Sequence, residues 1–222
     1  MLRTLEEEAH RRAVAILGGG SPVALQNGPK WICRIASGRH LDGSGGSRFP
    51  REHISRLLLA LRPANVGLNS VEPHGYGWLA KSGSDDNGQH SGYVYLSTDD
   101  SIEMVGVVKV GPWLTESSAW WPGLYELQLL KELPNSIRQL INQLGLSAPV
   151  YLFMNLVAVS GTAIVTESDD GTERPFPLPL DVDTVSFPPV ALGESTYQEE
   201  IVDSLNKIRQ VIGLKTSRPF YL

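Results

Sequence analysis

The chain has 222 residues, of which 41% are hydrophobic and 19% are charged, and its formal net charge is −5. This length and composition suit one or two globular domains and exclude a disordered, fibrous or disulfide-built protein. The single cysteine, Cys33, lies in an apolar run, which indicates a small buried side chain in a reducing compartment. The charged N-terminus lacks the apolar core of a signal peptide, so we expect a cytoplasmic protein.

The charge is unevenly distributed along the chain. Residues 1–62 carry ten Lys or Arg and five Asp or Glu, formally +5, whereas residues 63–222 carry nine and nineteen, formally −10. We therefore predict two domains, a basic module at 1–62 and an α+β domain at 63–222. A basic module can hold phosphates, although ordinary solvated surface gives the same asymmetry.

The first 62 residues carry signals for a helix, a hairpin and a second helix. A capping box at residues 4–7 predicts a helix that ends at three consecutive glycines, 18–20. Asn27-Gly28, between the apolar runs 23–25 and 31–35, predicts a tight hairpin turn. The glycine-rich stretch 37–48 lacks the Lys-Ser/Thr ending of a P-loop, so we interpret it as a loop before a short helix at 50–62.

This part of the chain resembles a known family. KWICRIAS at 30–37, a basic loop and REHI at 51–54 resemble the end of the Schlafen-type, AlbA-like DNA-binding domain of bacterial proteins. The segment 126–165 resembles the region that follows this domain, a leucine-rich helix with a Leu-Pro start, a glycine turn, a proline and an apolar strand. The resemblance implies DNA binding. The upstream part of the domain, where related nucleases keep acidic residues, has no counterpart here, so no catalytic residue is carried over.

The remaining sequence predicts a sheet with amphipathic helices packed on it. The runs 93–96 and 102–110, joined by a turn, predict an antiparallel meander with Glu103 and Lys109 facing outward. Periodic leucines and isoleucines at 130–144 predict a helix with Pro134 in its first turn and Gly145 at its end. The apolar run 150–157 predicts a strand buried on both faces. The expected fold class is α+β, with a mixed or antiparallel sheet.

Two further stretches bear on the architecture. Five prolines between 175 and 189 predict an extended segment at the surface or at a sheet edge. The sequence then predicts a final helix that ends at Gly213. Residues 148–165 carry no charge, but the polar residues within them favour two β-strands over a membrane span.

No motif of known chemistry is found along the chain. The Gly-x-Ser-x-Gly, Cys-x-x-Cys, His-Glu-x-x-His and Walker patterns do not occur, and the histidines show no metal-ligand spacing. Asp85, Asp86 and His90 are of types that bind metals, but in a loop rich in Gly, Ser and Asn we interpret them as turn residues. We therefore predict no catalytic residue, metal site or cofactor.

The sequence leaves three functions open. The first is non-catalytic nucleic-acid binding, with phosphate contacts or base stacking from Lys30, Trp31, Arg34, Arg39, Arg48 and Arg51. The second is a protein-interaction or assembly module that docks on itself or on a larger bacterial complex.

This second function would use either the leucine-rich helix or the aromatic residues Trp113, Trp120 and Trp121, which we alternatively expect to cover the core. The third is a metal-dependent nuclease with carboxylates from several loops. A contiguous exposed basic patch would favour the first function, a paired or dispersed one the second, and carboxylates converging on one cleft the third.

Overall fold

The computed structural model describes residues 1–38, 51–113, 116–146, 148–168, 170–193 and 197–214. These residues form an α+β fold with four helices and two sheets, which confirms the predicted fold class. The helices are α1 (Leu2–Leu17), α2 (Arg51–Ala60), α3 (123–144) and α4 (Tyr197–Val211). Helix α3 is α-helical at Gly123–Leu127, π-helical at Gln128–Glu132 and α-helical again at Leu133–Leu144.

The strands are β1 (Lys30–Ser37), β2 (Leu68–His74), β3 (Gly77–Ser82), β4 (Gly92–Leu96), β5 (Ile102–Val107), β6 (Gly111–Trp113), β7 (Glu116–Trp120), β8 (Val150–Val157), β9 (Ala163–Glu167), β10 (Glu173–Pro177), β11 (Thr184–Ser186) and β12 (Val190–Leu192). The larger sheet has the order β11-β8-β1-β5-β4-β3-β2, with β12 also on β8, and its pairs are antiparallel. The smaller sheet has the order β10-β9-β7-β6, in which β7 and β9 are parallel.

The larger sheet is covered on both faces. Helix α1 lies on one face, where its buried side chains contact β1 and β8. The other face packs against α2, α3 and α4 in the main core. Strand β1 shows this division by alternation, because Ile32 lies on the α1 side and Trp31, Cys33 and Ile35 lie in the main core.

The helix-to-strand unit at the centre of the chain follows its sequence signals. Pro134 lies in the first turn of Leu133–Leu144, and Gly145 ends the helix with a left-handed φ of 59°. The run 150–157 becomes β8, which lies between β1 and the β11–β12 edge and is buried along nearly its whole length. The predicted helix, cap and doubly buried strand are confirmed.

The predicted hairpin around Asn27-Gly28 is wrong. Gly28 does adopt a positive φ of 118°, but β1 pairs with β5 and β8, so both of its edges are occupied by distant strands. The run 23–25 instead approaches the loop before β4, where Leu25 forms an isolated bridge with His90. Helix α1 also starts before the predicted capping box, at Leu2, and Met1 makes no side-chain cap.

The two segments on either side of the predicted division at residue 62 share one sheet. Strand β1 comes from the basic first third, and its two neighbours, β5 and β8, come from the acidic remainder. The side chains of α1 and α2 are likewise buried against strands of the second segment. The two segments therefore contribute to one sheet and to common hydrophobic clusters.

The proline-rich segment lies at sheet edges, as predicted. Strand β10 forms one edge of the smaller sheet, and β11 and β12 form one edge of the larger sheet on either side of Pro188 and Pro189. None of the helices in the described part of the chain is long and apolar enough to cross a membrane.

Candidate functional site

A polar cleft lies between α1 and the larger sheet. It has a volume of about 450 Å³ and is open to solvent. Its lining combines guanidinium, carboxylate, imidazole and hydroxyl groups, supplied by Arg12, Gly20, Ser21, Pro22, Arg34, His74, Tyr95, Ser97, Asp99, Ser101 and Glu103. A concave surface with charged and hydroxyl groups can hold a polar ligand through hydrogen bonds and ion pairs.

The floor of the cleft is a row of residues across three neighbouring strands. The register of the sheet places Arg34 on β1 opposite Glu103 on β5, and Glu103 opposite Tyr95 on β4. Residues directly opposite in an antiparallel sheet point to the same face, so these three side chains share the α1 side of the sheet. Strand pairing alone therefore assembles a basic, an acidic and an aromatic residue side by side.

One wall of the cleft is the turn that ends α1. The turn has the sequence Gly18-Gly19-Gly20, and Gly19 adopts a positive φ of 87°. A Cβ atom at Gly20 would lie 2.9 Å from the carbonyl oxygen of Ala15, so a larger residue there would displace the turn. The glycines therefore let the chain turn sharply against the helix and form the wall of the cleft.

Glu103 is held by Arg12 and Tyr93. Nε of Arg12 donates to Oε2 of Glu103 at 2.7 Å, Nη2 donates to Oε1 at 3.0 Å, and Oη of Tyr93 donates to Oε1 at 2.6 Å. The hydrogen bonds to Glu103 raise the pKa of Arg12, while burial and the Glu103 charge raise the pKa of Tyr93 well above its usual value. The predicted outward position of Glu103 is wrong, because α1 covers this face and leaves only 2% of the residue exposed.

Arg34 is also engaged by an acid from α1. Its Nη2 donates to Oε1 of Glu8 at 3.0 Å, and its side chain is 11% exposed. Glu8 and Arg12 are one helical turn apart, so α1 contributes both an acid and a base to this face of the sheet. The helix and the sheet are thus joined by two ion pairs beside the cleft.

An aromatic group extends the cleft towards the β2–β3 hairpin. The rings of His74 and Tyr95 meet edge to face, with their centroids 6.0 Å apart. Burial raises the pKa of Tyr95, and the nearby charges of Asp99 and Glu103 add to this rise. Tyr76, two residues after His74 in the hairpin turn, is 93% exposed.

Lys30, Trp31 and Arg34, the predicted nucleic-acid residues with described side chains, do not form one exposed patch. Trp31 is only 5% exposed and stacks on Tyr125 with ring centroids 5.1 Å apart, so its ring is packed in the main core. Lys30 is half-buried, its Nζ donates to the carbonyl oxygen of Gly28 at 2.9 Å, and burial lowers its pKa. Of the set, Arg34 lines the cleft.

The other three predicted arginines lie wholly or partly outside the part of the chain that the structure describes. Arg39 and Arg48 lie outside the described residues, and Arg51 begins α2, but the structure does not describe its side chain.

Trp120 of the predicted partner surface is fully buried, and its Nε1 donates to Oγ1 of Thr162 at 3.2 Å. Trp121 is half-buried, and Trp113 lies in β6 with its side chain likewise outside the description. The position of Trp120 agrees with the alternative expectation that these aromatics cover the core.

The loop containing Asp85 and His90 is an ordered turn. Oδ1 of Asp85 accepts hydrogen bonds from the backbone N–H groups of Asn87 and Gln89, and Oδ2 accepts one from Nε2 of Gln26. Nδ1 of His90 lies 2.7 Å from the carbonyl oxygen of Ser82. Over the described ranges, no three His, Cys, Asp or Glu side chains are grouped to hold a metal ion.

Sequence reasoning missed Arg12, Glu103 and Tyr76. A signal for Glu103 was present, because it is the one charged residue in the strand IEMVGV and the register places it beside Arg34 and Tyr95. Arg12 lies one turn from Glu8 and from Ile16 on α1, so the helical period could have placed it near the buried stripe.

Comparison with known proteins finds no match to a family model, a curated protein or a solved structure. The function is therefore inferred from the geometry of the cleft. Its two guanidinium groups can bind an anionic group, its hydroxyl and carboxylate groups can accept and donate hydrogen bonds, and its aromatic edge can contact a flat ring.

Proposed function

We propose that the protein binds nucleic acid without catalysis and that the cleft is its contact with the phosphate backbone. The observation that carries the proposal is the presence of two guanidinium groups, Arg12 from α1 and Arg34 from β1, in the lining of one solvent-open cavity. Arginine presents planar N–H donors in the geometry that matches a phosphate group. The resemblance of residues 30–37 and 51–54 to a DNA-binding domain supports the same class of ligand.

The Arg12 guanidinium is oriented before any ligand arrives. Within the described residues, Glu103 and the carbonyl oxygen of Gly20 accept hydrogen bonds from three of its five N–H groups. The guanidinium is partly exposed and lines the cleft, where its remaining donor capacity can serve a ligand. Because the side chain is already fixed, binding would cost less conformational entropy than it would for a mobile surface arginine.

The charge of the cleft sets the expected strength of binding. Arg12 and Arg34 are balanced by Asp99 and Glu103, so the lining is formally neutral. Long-range attraction of a polyanion is therefore weak, and binding depends on direct contacts. With two phosphate contacts, the slope of log K against log salt for a single strand should be about −1.4.

A binding role is favoured over the nuclease predicted as the third function. Asp99 and Glu103 both line the cleft, which is the convergence of carboxylates that a nuclease would need. Both oxygens of Glu103 are, however, occupied by Arg12 and Tyr93. A carboxylate bound in this way is better placed to orient an arginine than to take a proton or a metal ion.

Fluorescence anisotropy tests the proposal. The protein is titrated into labelled single- and double-stranded DNA and RNA at low and moderate salt. The test variant is the double substitution Arg12→Met with Glu103→Gln, which removes both charges of the pair, so that neither partner is left ionised without the other. We expect at least about a tenfold loss of affinity for the bound nucleic acid and a salt slope reduced by about 0.7.

The matched control is Arg3→Met on the same helix. Arg3 is 90% exposed and pairs with Glu7, so its removal changes the net charge without touching the cleft. Its affinity should stay close to that of the wild type. Absence of binding to all four nucleic acids at low salt would refute the proposal, as would an equal loss in the Arg3 and the cleft variants.

A protein-interaction function is a second candidate, and a groove on the other side of the molecule favours it. The groove has a volume of about 280 Å³ and lies between α3 and the junction of β12 and α4. Ile137 and Ile141 of the leucine-rich helix, together with Leu192 and Tyr197, contribute apolar side chains to a lining that also contains Arg138 and Asn142. Light scattering coupled to size-exclusion chromatography of the wild type and an Ile141→Arg variant tests whether the groove joins two copies.

A further inference from the structure

The turn of the β2–β3 hairpin, which follows the cleft residue His74, presents an aromatic side chain to solvent. Tyr76 is 93% exposed, an unusual position for a large aromatic side chain. The pairing of His74 with Gly77 leaves a two-residue turn, and Gly75 takes a φ of 57° at its first position. Such a short turn holds the Tyr76 backbone in a defined position.

The hairpin is held closely against β4. A Cβ atom at Gly77 would lie 2.2 Å from the carbonyl oxygen of Leu96 and 2.9 Å from Oη of Tyr95, so only glycine fits there. The residue on the other side of the turn, His74, lines the cleft and contacts Tyr95. The exposed Tyr76 therefore lies in the turn directly after His74, a residue of the cleft.

We propose that the protein prefers single-stranded nucleic acid, with one unpaired base in the cleft beside Tyr95 and His74 and a neighbouring base stacked on Tyr76. This inference rests on the proposed function and specifies its ligand. A cavity of about 450 Å³ can enclose one nucleotide but not a base pair with its stacked neighbours. In a duplex, the faces of the bases are covered by stacking and their Watson–Crick edges by pairing, so a base can neither enter the cleft nor stack on Tyr76.

The polar lining of the cleft agrees with a base as the enclosed group. Ser97, Ser101 and Asp99 offer donors and acceptors near Tyr95, while Arg12 and Arg34 can hold the adjoining phosphate. Stacking on an aromatic ring combined with phosphate contacts is the usual mode of single-strand binding, and it tolerates most sequences.

The test compares Tyr76→Ala with Tyr76→Phe, using labelled oligonucleotides in single-stranded and duplex form. Both variants should fold normally, because the side chain is almost fully exposed. We expect the wild type to bind the single strand at least about tenfold more tightly than the duplex and Tyr76→Ala to lose about tenfold or more on the single strand. Tyr76→Phe keeps the ring and should stay within about twofold of the wild type.

Leu180→Ala is the control, since Leu180 is also highly exposed, at 81%, and has no place in the cleft. If single strands and duplexes bind equally well, or if Tyr76→Ala binds the single strand as the wild type does, this inference is overturned while the proposed function stands. If the wild type binds no nucleic acid, both fall together.

Discussion

Arg209 on α4 and Glu126 on α3 form a buried bidentate ion pair. Nη1 of Arg209 donates to Oε1 of Glu126 at 2.8 Å and Nη2 donates to Oε2 at 3.0 Å, and the two side chains are 2% and 1% exposed. Burial raises the pKa of Glu126, and the hydrogen bonds from Arg209 oppose that rise. Near the other end of α4, Oη of Tyr197 donates to the carbonyl oxygen of Leu129 in the π-helical turn. Helix α4 is therefore joined to α3 through two polar contacts at opposite ends.

Removing one partner of this pair should destabilise the protein strongly. Arg209→Met leaves Glu126 buried without its counter-charge, which typically costs about 3–5 kcal/mol in the free energy of unfolding. The double variant Arg209→Met with Glu126→Leu buries no charge and should be more stable than the single variant. Urea denaturation followed by tryptophan fluorescence measures both, with Lys207→Met on the exposed face of α4 as the control. A single variant within about 1 kcal/mol of the wild type would contradict the prediction.

The Tyr93 hydroxyl should contribute measurably to the free energy of unfolding of the protein. Tyr93→Phe removes the hydrogen bond to Glu103 and leaves Arg12 in place. Because the acceptor is charged, we expect a loss of about 1.5–3 kcal/mol in the free energy of unfolding. In the Glu103→Gln background the acceptor is neutral, so the same substitution should cost less. The comparison is a double-mutant cycle in denaturant, and equal costs in both backgrounds would show that the hydroxyl does not depend on the carboxylate charge.

Asp85 should make stability depend on acid pH. Hydrogen bonds from the Gln89 backbone, Gln26 and Asn87 lower its pKa below the ordinary value of 3.8. The carboxylate therefore stabilises the fold above pH 3.8, and this contribution is lost as the pH falls through the lower folded-state pKa. Asp85→Asn should lower the melting temperature at pH 7 and differ less from the wild type near about pH 2.5. Asp86→Asn is the control, and a difference that grows on acidification would rule out this account.

Cys33 should be unreactive in the folded protein. It lies in the centre of β1 with 4% exposure, and burial raises its pKa to about 12. Because the thiolate is the reactive form, labelling by a thiol reagent at mildly alkaline pH should be negligible without denaturant and complete in guanidinium chloride. Absorbance of the released chromophore follows both reactions. Equal labelling rates in the two conditions would place Cys33 at the surface and contradict the structure.

Signals that depend on neighbouring residues predicted the fold well. Pro134, Gly145 and the apolar run 150–157 correctly located the Leu133–Leu144 part of α3 and strand β8, because helix ends and buried strands are determined largely by local conformation and composition. The predicted hairpin at Asn27-Gly28 was wrong because the pairing of β1 depends on residues far away in the sequence. A turn signal describes two residues, whereas the partners of β1 were decided by the burial of both sheet faces against distant segments.

The candidate site was the part least accessible to sequence reasoning. Strand alternation predicted that Glu103 faces outward, but alternation cannot tell that α1 covers that face. The charge distribution likewise identified a basic first third. It could not show that Arg34 lines the cleft or that Trp31 packs in the main core. The cleft depends on the register between β1, β4 and β5, and register is a property of the folded sheet.

The prolines at the sheet edges have a consequence for how copies of this protein meet. Each outer strand of the two described sheets contains or adjoins proline: β2 has Pro73, β6 has Pro112, β10 has Pro175 and Pro177, and β11 and β12 flank Pro188 and Pro189. Proline has no N–H to donate, so a strand of a second molecule cannot form a continuous hydrogen-bonded ladder along these edges. We therefore expect the prolines to hinder growth of the sheets from one molecule to the next, and concentrated solutions should resist fibril formation.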